Sequence, residues 1–187
     1  FERTRRLFHR KTMATRVPGV GLQRYTYGDY ADRVARLAGA LRGLGLQKGA
    51  RVGTFAWNSH RHMEVYFAAP LMGMVLHTVN IRLSPQDLTY IINHAEDQVL
   101  IVDASLWPLL QPIRKDLPSV KHVIVMKDAP TAEIPAGALD YEALLAAAKP
   151  VETWPTLNET DTAGMCYTSG TTGHPKGVLY THRGIYL

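Results

Sequence analysis

Val99-Leu100-Ile101-Val102 is apolar at four consecutive positions. Side chains along a strand alternate between the two faces of its sheet, so an unbroken apolar run belongs to a strand covered on both sides. Residues 52–56, 75–79 and 122–126 also read as short strands, and helical patterns lie between them. Tyr30, Val34, Leu37, Ala38, Leu41 and Leu44 keep helical spacing, with Thr26 and Asp29 as a capping pair and Gly45 as a stop. Further helices are expected over 59–72, over 85–94 behind a Ser84 cap and Pro85, over 105–115 and over 141–149. This βαβα order predicts an α/β fold with a doubly wound, mostly parallel sheet and helices on both faces. Residues 127–137 and 150–160 are polar, proline-containing connectors.

The chain has 187 residues, 46% hydrophobic and 20% charged, which suits one domain with a substantial core. Its formal charge of +5 is unevenly placed. Arg3, Arg5, Arg6, Arg10, Lys11 and Arg16 stand against Glu2, whereas residues 17–187 hold fifteen basic and fifteen acidic side chains. Residues 1–16 are therefore set apart as a basic N-terminal arm, solvated or packed on another part of the molecule. No nucleic-acid signature follows it, so nucleic acid is not an expected partner, and any membrane contact is at most peripheral. The longest apolar stretch, residues 65–76, is broken by Pro70 and Gly73 and is too short to span a bilayer. A single cysteine, Cys166, leaves no intramolecular disulfide, and with no secretory signal it points to a reducing, cytoplasmic setting. Its neighbours make it a small core residue on a buried strand rather than a nucleophile.

Residues 167–177, Tyr-Thr-Ser-Gly-Thr-Thr-Gly-His-Pro-Lys-Gly, gather four aliphatic hydroxyls, three glycines and a lysine. Glycines let backbone amides approach an anion, hydroxyls donate to non-bridging oxygens, and Lys176 adds a mobile charge. The segment is a polyphosphate cradle but not a Walker A loop, because Pro175 stands where glycine is required and Gly177 where a Ser or Thr would bind magnesium. Val178-Leu179-Tyr180-Thr181 is β-prone, so the loop should join two strands rather than open a helix.

The loop resembles the signature [YF]TSG[ST]TGxPKG of the AMP-forming adenylate synthetases, which include acyl-CoA synthetases, luciferases and peptide-synthetase adenylation domains. Every fixed position from Tyr167 to Gly177 matches, with His174 at the variable one. Residues 73–80, Arg82-Leu83-Ser84-Pro85 and residues 90–97 look like the branch acting on medium and long fatty acids, and the likeness begins near Tyr25. It implies activation of a fatty acid by ATP to acyl-AMP, release of pyrophosphate, and transfer to coenzyme A. Fatty acid, ATP and coenzyme A would be the small-molecule partners, with Mg2+ as cofactor. On this resemblance Thr168, Ser169, Gly170, Thr171, Thr172, Gly173 and Lys176 hold the nucleotide phosphates. Lys176 and Thr172 act on the leaving group, and Thr168 is the Mg2+ ligand. Alternatives are an aryl-CoA ligase, an amino-acid adenylation domain or, in a different class, a non-catalytic nucleotide-binding or dimerisation module.

The chain opens at Phe1 and stops at Leu187 inside a new helical pattern, so residues 17–187 are expected to be the N-terminal part of a larger adenylate-forming domain. Such a piece would bind phosphate weakly without completing the reaction, and its uncovered apolar strands leave room for a homodimer. The remaining histidines invite metal readings that spacing discourages. His60 and His62 point to different sides of one helix, and His77 and His94 lie in or beside apolar segments, where packing roles are expected.

Overall fold

A computed structural model of the chain describes residues 1–168 and 173–187. Its centre is a seven-stranded sheet. The strands are β3 (Arg51–Phe55), β4 (Val75–Thr78), β5 (Asp97–Asp103), β6 (His122–Met126), β7 (Leu139–Asp140), β8 (Thr162–Thr168) and β9 (Lys176–Thr181). They lie in the order β7-β6-β5-β3-β4-β8-β9. All neighbours run parallel except β8 and β9. The doubly wound expectation is therefore met.

Two apolar layers enclose the sheet, and β5 supplies both. Val99 and Ile101 join Val52, Leu76 and Ile124 under helices α2 (Tyr27–Gly43), α3 (His60–Leu71) and α6 (Tyr141–Ala147). Leu100 and Val102 join Phe55, Val123 and Val125 under α4 (Pro85–Ala95) and the turns around α5 (Trp107–Leu110). The predicted caps form. Thr26 and Asp29 make a reciprocal capping box on α2, and Ser84 accepts from the Asp87 amide at the start of α4. Gly45, just past α2, has φ +85°, a left-handed position that suits glycine.

An ionic cluster ties three helices on one face. Arg33 of α2 bridges Glu64 of α3 at 2.7 Å and Glu142 of α6 at 2.9 Å, and Arg61 reaches Glu142 at 2.7 Å. Glu64 is fully buried and also accepts from the Tyr141 hydroxyl at 2.7 Å. Burial raises its pKa against the opposing pull of Arg33.

Two expectations need correction. The helix over 105–115 is only the short α5, flanked by 3-10 turns at Ala104–Leu106 and Gln111–Asp116. Pro108 and Pro112 each lack the amide that a continuous helix would use. The basic arm shows both expected behaviours, an exposed first helix and a packed Phe1. Residues 2–7 form α1 (Glu2–Leu7), and residues 12–16 enter β1 (Thr12–Val17), which pairs antiparallel with β2 (Gly21–Thr26) as a separate hairpin. Thr15 and Val17 are buried, and Phe1 packs edge-on to Trp154 with ring centroids 5.5 Å apart. Second, Cys166 is half-exposed rather than core, because its face of β8 opens onto an apolar trough lined by Phe67, Leu76 and Tyr180.

Candidate polyphosphate site

The loop joins two strands, as its composition predicts. β8 runs parallel to β4, pairing Leu76 with Gly164 and Thr78 with Cys166, so the loop leaves from the carboxyl end of the parallel strands. Open α/β sheets bind ligands at that end. β9 returns antiparallel, with Thr168 opposite Lys176 and Tyr167 opposite Gly177. The hairpin mouth thus opposes a hydroxyl and a lysine. Thr168 Oγ1 donates to the Lys176 carbonyl at 3.5 Å, and both residues are exposed. Gly173, on the returning limb, has φ +102°. Ser169, Gly170, Thr171 and Thr172, four of the predicted contacts, lie outside the described residues.

The donor set fits a particular kind of cation. Thr168 offers one hard oxygen, and among the described residues no group of three or more His, Cys, Asp or Glu side chains could hold a metal. Mg2+ prefers oxygen and usually keeps several waters, and a single threonine hydroxyl is compatible with an ion bound in that way.

Aromatic rings flank both limbs. Tyr167, the last half-buried residue before the mouth, shares a 2.6 Å hydrogen bond with His94 Nδ1 on α4. Burial pushes its phenol up to about 12, with Asp97 and Tyr90 adding to the effect. His94 stacks on Tyr90 one helical turn earlier, and His174 of the returning limb stacks on the same Tyr90 at 4.5 Å between centroids and 22° between planes. The sequence assigns His94 a packing role but does not set it against Tyr167. The four-residue spacing of Tyr90 and His94 was the available signal, since it sets both rings on one side of α4.

Behind Tyr167 lies a buried pair that the sequence reading did not foresee. His77 Nδ1 of β4 meets Asp97 Oδ2 of β5 at 2.7 Å, with both side chains fully buried. Strand β3 runs between those two strands, and the pair closes across it only because residue 53 is glycine. A Cβ there would stand 2.9 Å from Asp97 Oδ2 and 2.6 Å from Leu100 Cδ2. The His77 ring lies 5.2 Å from that of Tyr167, while His77 Nε2 and Asp97 Oδ1 have no hydrogen-bond partner among the described residues. Burial raises the Asp97 carboxyl, opposed by the hydrogen bond from His77.

The other histidines do not converge. His62 bonds the Trp57 carbonyl at 3.1 Å and Thr54 Oγ1 at 3.0 Å, a packing role. His60 rests edge-on against Tyr25, and burial lowers its pKa to about 4. At the end of β5, Asp103 accepts from the Trp57 amide at 2.6 Å, and burial, with help from Asp128, raises its pKa to about 6.

Comparison with known proteins agrees with this architecture. The family model for AMP-binding enzymes matches residues 1–186. A long-chain-fatty-acid–CoA ligase of Thermus thermophilus is 47% identical over 187 residues, which is all of this chain and 33% of the relative. A 3-methylmercaptopropionyl-CoA ligase of Ruegeria lacuscaerulensis is 45% identical over 185 residues, 96% of this chain and 34% of the relative. Among solved structures, the anthranilate CoA ligase AuaEII in complex with anthranoyl-AMP superposes with a TM-score of 0.85 at 26% identity, covering 97% of this chain and 34% of that one. The chain therefore spans about a third of the length of the proteins it matches. With a family match that runs through both sheet faces and the loop, the chain belongs to the AMP-binding enzyme family.

Proposed function

We propose that the protein containing this chain activates a fatty acid in two steps. The carboxylate attacks the α-phosphorus of ATP and pyrophosphate leaves; the thiol of coenzyme A then attacks the acyl carbonyl of acyl-AMP, giving up its proton, and the bond to the phosphate breaks to release AMP. The observation that carries this reading is the hairpin mouth, where Thr168 and Lys176 face one another at the carboxyl end of the parallel strands. A leaving pyrophosphate gains negative charge as its bond to the α-phosphorus breaks, and fixed donors around it lower that barrier. Lys176 and Thr172 serve this step. Thr168, Ser169, Gly170, Thr171 and Gly173 hold the phosphates by hydroxyl and amide, and Thr168 gives an oxygen to Mg2+. The bound cation would neutralise phosphate charge.

Residues 17–187 are, in this reading, the N-terminal part of the adenylate-forming domain, and residues 1–16 its basic N-terminal arm. A fatty acid is favoured over an aryl or amino acid by the 47% identity to a long-chain-fatty-acid–CoA ligase. The 45% identity to a 3-methylmercaptopropionyl-CoA ligase keeps shorter carboxylates in the test. A cytoplasmic setting is supported by the lone cysteine, and among the described residues no helix is long and apolar enough to cross a membrane. Homodimerisation through the open apolar trough, and at most peripheral membrane contact, complete the proposal.

Carboxylate-dependent exchange of labelled pyrophosphate into ATP, measured on the full-length protein, is the test. Butyrate, octanoate, palmitate, benzoate and 3-methylthiopropionate form the panel. Exchange strongest with a fatty acid, followed by acyl-CoA when coenzyme A is added, is the expected result. No carboxylate-dependent exchange would assign the chain to a binding module instead.

A further inference from the structure

The geometry points to Tyr167, His94, Tyr90 and His174 as one ladder of rings that docks both limbs of the loop on α4, with His174 and Tyr90 as positioning residues for the polyphosphate. This rests on the function proposed above. The ascending limb is tied by the 2.6 Å hydrogen bond between Tyr167 and His94. The returning limb is tied by the stack of His174 on Tyr90, with 4.5 Å between centroids and 22° between planes. His94 and Tyr90 also stack, at 5.4 Å and 29°, so the two ties share one helix face. Gly177 completes the fit, since a Cβ there would come within 3.3 Å of the Tyr167 ring.

Rings in offset parallel contact attract beyond their burial, and the contact is directional. His174 stands two residues before Lys176, so fixing its ring restricts where the Lys176 ammonium can reach. Phosphate binding must otherwise pay to order those backbone torsions, an entropic cost that a docked limb reduces. The variable position of the loop signature is filled in this chain by a residue whose flat ring matches the tyrosine beneath it.

The experiment uses the full-length protein with His174→Ala, His174→Phe, Tyr90→Leu and Tyr90→Phe, and the double variant of His174→Ala with Tyr90→Leu. His174→Ala is expected to raise KM for MgATP about three- to tenfold, the range of one aromatic stack, with kcat within about twofold of the parent. His174→Phe and Tyr90→Phe keep the stack and should restore the parent KM. Tyr90→Leu, which removes the His94 stack as well, should raise KM at least as much as His174→Ala, and the double variant should equal Tyr90→Leu, because the His174–Tyr90 contact can be lost only once. An unchanged KM in His174→Ala, failure of phenylalanine to restore it, or additive losses in the double variant would overturn the proposal.

Two readings independent of turnover separate this idea from the proposed activity. Calorimetric titration with inorganic tripolyphosphate should weaken by the same factor in His174→Ala. Amide hydrogen exchange at residues 173 and 174 should accelerate in the unliganded variant. If the parent lacks carboxylate-dependent exchange but these two shifts appear, the docking stands and the activity falls. If the parent is active and neither shift appears, the docking is wrong and the activity stands.

Discussion

Along β5 six of the seven residues are buried, whereas in β9 every residue from Lys176 to Tyr180 is exposed. Both are strands of one sheet and both are rich in residues that favour strands. What separates them is covering: β5 has helices on each face and a parallel strand on each side, while β9 hangs from β8 by one antiparallel ladder. The interior strands hold the fold, and the outer hairpin holds the proposed phosphate contacts. Elements with few buried contacts open most easily, and binding segments are drawn from them. The contrast implies that stability and activity can be damaged separately.

The largest effect should come from the interior. Ile101 is fully buried and pairs in register with Thr54 and Ile124. Ile101→Ala is expected to cost about 2–5 kcal/mol in guanidinium unfolding, through lost transfer energy and the cavity left behind. A shift below about 1 kcal/mol would show that β5 is not the mechanical centre of the sheet. Next, Lys176→Ala should lower the adenylation step about a hundredfold, as removing one aimed donor does, while the unfolding free energy stays within about 0.5 kcal/mol of the parent. Equal loss of transfer from preformed acyl-AMP would place Lys176 elsewhere in the reaction.

A smaller effect should appear where the buried strand gives way to the open end. Asp103 has a folded pKa of about 6, raised above its unfolded value by burial. The unfolded chain therefore releases this proton at lower pH, so folding stability falls as pH rises from about 4 to about 6 and is flat above. For a shift of this size the loss is about 2 kcal/mol or more. Asp103→Asn should flatten that window in pH-dependent unfolding curves. Glu142 works in a lower one: Arg33 and Arg61 hold its carboxyl down to about 2 despite partial burial, so its contribution is lost only as pH falls below the usual carboxylate range. A parent curve that rises between pH 4 and 6 would show that Asp103 is ionised in the folded protein throughout.

Most of the interior was legible because burial on two faces leaves a mark in one dimension. An unbroken apolar run gave the central strand β5, and cap residues such as Thr26 and Ser84 gave helix starts within a residue of where they lie. Elements with weak marks were missed. β7 is two residues long, and the β1–β2 hairpin carries arginines on its outer face that read as a charge run. Charge and strand geometry are independent there: Arg16 points outward while Thr15 and Val17 point in. At the site, the loop was legible from its glycines and hydroxyls, but its aromatic surroundings were not. Tyr90 and Tyr167 are 77 positions apart, and nothing local to either announces that they flank the same loop. The His77–Asp97 pair was hidden for a similar reason, since the decisive residue is the absent side chain of Gly53 on the strand between them.

The two borders of the sheet are unlike, and that gives the molecule a direction. β7 offers two residues and then turns into α6, so it ends the lateral order on its side. β9 offers six residues, and among the described residues only β8 pairs with it. An exposed border strand is a template of open amide and carbonyl groups. Any further strand, whether from the same polypeptide or from a second copy, therefore has one favourable place to join, next to the proposed phosphate loop. Growth of the sheet and completion of the site would proceed from the same side.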